Sequence, residues 1–330
     1  MVSFDSLCYS LLLLSGLVEV LANPLQSRKH EPRPLVIWHG MGDSYGSPGM
    51  LEFINEIKEM HPGIFVHSIY LDEDLKEDQR AGFLGNVNLQ LGNVTEQLRD
   101  IPELSQGFDA IGFSQGGQFL RAYVERYNSP PINNLITFGS QHMGVSDFPL
   151  CRRWDLVCQF ARRAARGNVY TEWAQENLVQ AQYYRDPTQL PQYLSSNHFL
   201  TDINNELDES VNQTYAENLI SLNKLILVLF SEDKTVVPKE TSWFGSYAPP
   251  EDDDDYEKTI IPMRLQTLYT EDRIGLKTLD ERGDVVLETC EGEHMQLSTG
   301  CWRPLVNTYV GGPIKSQMML VQDQVVLNGF

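Results

Sequence analysis

In the stretch "AIGFSQGGQFLRAY", Ala110 to Tyr123, Ser114 stands between Gly112 and Gly116 where an apolar run turns helical. The G-x-S-x-G spacing is that of a nucleophile held on a strained turn from strand to helix. A serine hydroxyl is a poor nucleophile unless a base takes its proton, and the base needs an acid to orient it. On such a turn the three groups follow the order serine, acid, histidine. Of the seven histidines, His142, His198 and His294 come after Ser114. His142 follows the next apolar run almost at once, too early for an acid from a later strand to precede it. His198 lies in a helical stretch, and His294 in "TCEGEHMQLSTG", a loop near the C-terminus. The acid should sit just past a strand end. "LILVLFSEDKTVVP" places Asp233 there, with the adjacent Glu232 as the alternative.

Attack on an acyl carbon creates an oxyanion, which needs two backbone N–H groups aimed at one point. Gln115, the residue after the nucleophile, offers one from the start of its helix. The other is expected from the loop "HGMGDS", with Met41 as donor, because Gly40 and Gly42 let that backbone approach closely.

Elements of a particular kind must position these groups. "PLVIWHG", "GIFVHSIYL", "GFDAIGF", "INNLITFGSQ" and "KLILVLFS" read as short buried strands. Between them "MLEFINEIKEM", "NVNLQLGNVTEQLRDI" and "QGGQFLRAYVERY" carry apolar residues at helical spacing. Strands alternating with helices predict an α/β fold, a mostly parallel central sheet with helices on both faces. From about residue 141 to 223 the alternation stops, and short helices and loops predict a helical insertion capping the active site. A small separate helical domain is the other reading of that segment.

The 330 residues carry 25 Lys and Arg against 45 Asp and Glu, a net charge of −20. A surface that negative repels nucleic acid and anionic membrane, so neither is an expected partner. The acidic run "EDDDDYE" at residues 251–257 reads as a solvated loop. The first segment has an apolar core of signal-peptide length, with Val20 and Ala22 placed for cleavage after residue 22. A short membrane anchor is the alternative, since no Lys or Arg precedes that core. Residues 1–22 are therefore expected as a signal peptide, and 23–330 as a single domain with no transmembrane segment. Asn93-Val94-Thr95 and Asn212-Gln213-Thr214 are glycosylation sequons and fit the secretory pathway. No Cys/His cluster has zinc spacing, so neither metal nor cofactor is expected.

The segments "PLVIWHGMGDS", "GFSQGGQFLRA", "NLITFGSQHMGV", "LYTEDRIGLKTLDERG" and "EGEHMQLS" together resemble the lysosomal palmitoyl-protein thioesterases of the first type. The resemblance runs from about Pro34 to just past His294. It implies an α/β-hydrolase fold and removal of long-chain fatty acyl groups from cysteine in S-palmitoylated proteins or peptides, in the lysosome or vacuole. It assigns Ser114, Asp233 and His294 as the triad and Met41 with Gln115 as the oxyanion hole. It also implies that the insertion shapes an apolar acyl groove, with Phe199 and Leu200 in "SSNHFLTDIN" as candidates. Two departures stand out: Tyr45 and Gly46 replace cysteines often found there, and the stretch after "STGCWRPL" has no counterpart. A lipase or carboxylesterase would use the same triad on an oxygen ester and is the alternative activity.

Without the leader, Cys151, Cys158, Cys290 and Cys301 remain, and four cysteines allow three connectivities. Local pairing, Cys151 with Cys158 and Cys290 with Cys301, closes the smallest loops. The second bridge would close a short loop around His294. Buried free thiols are the other reading.

Overall fold

The structure, a computed structural model, describes residues 31–147, 169–250 and 258–312. The expected signal peptide, Cys151, Cys158, the acidic run 251–257 and the end of the chain lie outside these residues.

Six strands build one sheet: β1 (Leu35–Trp38), β2 (Val66–Ser68), β3 (Phe108–Phe113), β4 (Ile132–Phe138), β5 (Lys224–Phe230) and β8 (Val285–Cys290). Their order is β2-β1-β3-β4-β5-β8, and every pairing is parallel. A separate two-stranded ribbon joins β6 (Ser246–Tyr247) to β7 (Ile260–Ile261) antiparallel. In the central strands β1 and β3 every residue is buried. Alternate side chains feed two cores: Val36, Trp38, Phe108 and Ala110 on one face, Leu35, Ile37, Ile111 and Phe113 on the other. Burying each of the larger of these side chains stabilises the fold by about 1.5–3 kcal/mol, which explains why these strands read as apolar runs, Asp109 in β3 apart.

Helices cover both faces. Helix α1 (Pro48–Met60) starts where the Ser47 side chain accepts from Met50 N and Pro48 takes the first turn. Its stripe Met50, Phe53, Ile54 and Ile57 faces the sheet beside the last described helix, Thr299–Tyr309, with Trp302 edge-on to Phe53. On the opposite face lie α3 (Val87–Arg99), capped by Asn86, and α4 (Gln115–Arg126). Between β4 and β5 the described residues form short helices, among them Glu172–Asn177, Leu190–Ser196 and Gln213–Ile220, and no strand.

Several elements, the β6–β7 ribbon among them, have no counterpart in the reading of the sequence. Strand β8 lies at the sheet edge, where Leu287, Glu288 and Thr289 are exposed, and its apolar run ends after three residues. Helix α2 (Leu75–Ala81) is charged and mostly exposed, and is started by the Asp74 cap rather than by an apolar stripe. The helix Thr299–Tyr309 contains Pro304, which masks its helical pattern.

Candidate active site

Ser114 occupies the turn between β3 and α4 with φ 51° and ψ −122°, a backbone conformation that side-chain-bearing residues rarely adopt. The glycines around it are required by contact distance. A Cβ on Gly112 would lie 2.2 Å from Gly117 Cα, and one on Gly116 would lie 2.5 Å from the carbonyl oxygens of both Trp38 and His39. The Ser114 N–H donates to Phe138 O at 2.8 Å, which fixes the turn against β4.

His294 reaches this turn from the loop after β8. Its Nε2 lies 3.1 Å from Ser114 Oγ and its Nδ1 lies 2.6 Å from Asp233 Oδ2. With Nδ1–H donating to the carboxylate, Nε2 is free to accept the serine proton. Asp233 follows β5, and its other oxygen accepts from the backbone N–H groups of Thr235 (2.8 Å) and Val236 (2.9 Å). The carboxylate is thus locked while facing the imidazole. The adjacent Glu232 is exposed, and its N–H donates to Gly292 O, so Asp233 is the carboxylate at His294. Further bonds, Ser231 N to Cys290 O and Gly292 N to Ser231 Oγ, stitch the two loops together. Cys290 and Cys301 bracket His294 with Cα atoms 5.4 Å apart, within disulfide range.

The other two histidines lie away from this chain of hydrogen bonds. His142 is fully buried, with Nε2 3.0 Å from Thr137 Oγ1 and its ring stacked on Phe244. Burial, with the Arg121 charge adding to it, pushes its pKa well down, which keeps it neutral. His198 is exposed on the insertion.

The loop after β1 passes against the nucleophile, since a Cβ on Gly40 would lie 3.2 Å from Ser114 Cβ. Met41 lines the same cleft as Ser114, and Gln115 opens α4 directly after it, where N–H groups of a first helical turn have no partner within the helix. A cleft of about 410 Å³ opens at Ser114 and His294, with Met41, Met50, Phe53 and Leu297 on its walls.

Phe199 and Leu200 are placed elsewhere. Both are fully buried in the core on the α4 face and do not line this cleft. The Phe199 ring is edge-on to Phe119 with the Arg126 guanidinium over it, and a Leu200 methyl fills the space beside Gly144. The resemblance made them candidates for an acyl groove, but their apolar side chains pack inside the core. Asn93 and Asn212 have exposed side chains, on α3 and at the start of the helix Gln213–Ile220. Among the described residues no helix is long and apolar enough to cross a membrane.

Asp78 had no signal in the sequence. It is a buried carboxylate on the otherwise exposed α2, 3.1 Å from His39 Nε2 and accepting from Tyr45 N and Leu71 N. Only the fold reveals that it anchors both ends of the "HGMGDS" loop.

A parallel sheet wrapped by helices, with a serine on a strained strand-to-helix turn backed by a histidine and a carboxylate, defines an α/β-hydrolase of the serine type. Within that class the chain belongs to the palmitoyl protein thioesterase family, whose model matches residues 34–294. It is 42% identical to palmitoyl-protein thioesterase 1 of Caenorhabditis elegans over 80% of this chain and 87% of that protein. It is 34% identical to a palmitoyl-protein thioesterase-dolichyl pyrophosphate phosphatase fusion of Schizosaccharomyces pombe, over 84% of this chain and 44% of the fusion. Identity to the lysosomal thioesterase PPT2 of Homo sapiens is 29%, over 77% of this chain and 79% of that protein.

Proposed function

We propose that the chain hydrolyses long-chain acyl thioesters, palmitoyl-cysteine in proteins or peptides above all, through Ser114, His294 and Asp233. The observation that carries this reading is the continuous Ser114–His294–Asp233 hydrogen-bond chain, at 3.1 and 2.6 Å, at the mouth of an apolar cleft. Family membership supplies the substrate class.

Ser114 Oγ attacks the acyl carbonyl while its proton moves to His294 Nε2. The backbone N–H groups of Met41 and Gln115 take the oxyanion charge, and the Asp233 carboxylate stabilises the imidazolium. The C–S bond breaks, and the cysteine sulfur leaves with the proton from His294. Water then loses a proton to Nε2, attacks the acyl-serine carbonyl and releases the fatty acid with Ser114 restored. The apolar wall of Met50, Phe53 and Leu297 favours the acyl chain over bulk water.

Residence in the lysosome or the secretory pathway is part of this reading. The human relative is named a lysosomal thioesterase, and both sequon asparagines are solvent-exposed. A glycan at Asn93 or Asn212 and cleavage after residue 22 would be visible as mass changes in protein from a secretory host.

The test compares palmitoyl-peptide thioester with the matched oxygen ester, using wild type and Ser114→Ala. Turnover of the thioester by wild type, with none by Ser114→Ala, is the expected result. Faster turnover of the oxygen ester would make the chain an esterase, and activity retained in Ser114→Ala would remove Ser114 as nucleophile.

A further inference from the structure

Gly82, at the end of α2, adjoins both segments expected to form the oxyanion hole. A Cβ added to Gly82 would lie 3.2 Å from Gln115 Nε2 and 3.5 Å from Gly42 N. The residue therefore touches the α4 arm and the β1-loop arm at once. Its carbonyl accepts from Gln115 Nε2 at 3.1 Å and from Gln180 Nε2 at 2.8 Å. Gln180 Nε2 also lies 3.2 Å from Met41 Sδ. Three positions later in the insertion, the Tyr183 hydroxyl donates to Gln115 Oε1 at 3.1 Å. Burial raises the Tyr183 pKa well above its ordinary value, so the hydroxyl stays neutral and keeps its proton to donate.

The segment bearing Gln180 and Tyr183 is itself registered on the Gly82 turn. Val179 N donates to Phe83 O at 3.1 Å and Gly85 N donates to Asn177 O at 3.0 Å. Gln182 closes the register, with Oε1 accepting from Val87 N and Nε2 donating to Gly85 O, both at 2.8 Å. Gln180 Oε1 is buried without a hydrogen-bond partner, and breaking any of the bonds made by Gln180 Nε2, Gln182 or Tyr183 leaves a further buried group unsatisfied, which holds their partners in one geometry.

From this arrangement we infer that Gln180 and Tyr183 of the insertion are positioning residues for the oxyanion hole, acting through Gly82, Met41 and Gln115. The inference rests on the reading of Ser114 as nucleophile and of Met41 and Gln115 as oxyanion donors. Neither Gln180 nor Tyr183 touches the reacting atoms. Gln180 holds the spacing of the loop arm, and Tyr183 holds the Gln115 side chain, whose backbone N–H is the second donor. Oxyanion donors act only at a defined distance from the developing charge, so a shift of the arms weakens the transition state more than the ground state.

The test uses Gln180→Leu and Tyr183→Phe, the second removing a single oxygen atom so that folding is preserved if the first is disruptive. Each is assayed with palmitoyl-CoA across pH, with a long-chain alkyl trifluoromethyl ketone that adds to serine as an oxyanion, and with palmitate as a ground-state ligand. The expected result is a loss of roughly 10- to 100-fold in kcat with KM little changed, since a misplacement of ~1 Å can cost about 10²-fold. Ketone affinity should fall in parallel, while palmitate affinity and the pH profile stay as in wild type. Unchanged kcat in Tyr183→Phe and in folded Gln180→Leu overturns the inference, as does an equal loss of ketone and palmitate affinity. Activity retained in Ser114→Ala is a different failure, that of the nucleophile reading itself.

Discussion

Asp78 Oδ2 lies 3.1 Å from His39 Nε2, both side chains sealed from solvent beneath the loop that leads to Met41. The other ring nitrogen of His39 lies 3.0 Å from Gly40 O, so both nitrogens face acceptors and the doubly protonated imidazolium is the form that fits. Burial opposes that charge, but the Asp78 hydrogen bond, the Gly40 carbonyl and the charges of Asp78 and Asp43 outweigh it and raise the His39 pKa. Burial likewise opposes the Asp78 charge, and the His39 contact with the Leu71 and Tyr45 N–H groups lowers its pKa. The His39 contribution to stability is complete below the ordinary 6.5 and is lost as pH rises through its raised value. The Asp78 contribution is complete above 3.8 and is lost as pH falls through its lowered value. The pair should therefore stabilise the fold most in mildly acidic solution. Asp78→Asn should lower the Tm there more than at pH 8, and a Tm offset constant across pH would show that the pair is uncharged.

Glu125 gives a second pH dependence with one limb. Its carboxyl is fully buried on α4, with Oε1 2.8 Å from Arg121 Nη1 and Oε2 without a hydrogen-bond partner. Burial pushes its pKa up to about 7, against the charges of Arg121 and Arg126 and with that of Asp202. A raised carboxyl favours the fold fully below 4.5, and this contribution is lost as pH rises through about 7. Urea midpoints of the wild type should fall over that range. Glu125→Gln should flatten the fall, and an unaltered slope would count against the assignment.

The choice between the two acids after β5 can be read kinetically. Asp233→Asn should lower kcat on the order of 10⁴-fold by leaving the imidazole in the wrong tautomer. Glu232→Gln should stay near wild type, because the Glu232 side chain is exposed. The reverse ranking would reassign the acid.

Cys290 and Cys301 should be found linked when the non-reduced protein is mapped by peptide mass. Such a bridge, spanning 11 residues, would contribute about 2–3 kcal/mol by the chain-entropy estimate. It would also hold the His294 loop in register, so Cys290→Ser/Cys301→Ser should lower kcat more than it raises KM. Free thiols at both positions would exclude it.

Phe199 separates packing from substrate recognition. As a fully buried ring, Phe199→Ala should destabilise the fold by about 3–5 kcal/mol. In the variant that still folds, activity on short and long acyl chains should fall by the same factor. A loss that grows with chain length would place Phe199 on the path of the acyl chain.

Ser114 and His294 were legible as a pair in the sequence because their constraints are local. The Gly112, Gly116 and Ser114 spacing follows from a turn whose backbone contacts exclude any Cβ, and chain order removed the other histidines. The central strands were legible for a related reason: a sheet buried on both faces must be apolar throughout. Where an element meets water on one side the signal fades, and β8 and α2 were invisible for that reason although they carry the His294 loop and Asp78. The sequence pointed to Asp233 with Glu232 as the alternative, and tertiary structure separated the two by turning the Asp233 carboxylate inward to two backbone N–H groups and the imidazole. Tertiary structure alone placed Phe199 and Leu200 in the core and brought Gln180 to Met41 across 139 positions. Contacts of that span leave no periodicity or spacing in the chain, because a glutamine that bonds a distant carbonyl has the same local surroundings as one that bonds water.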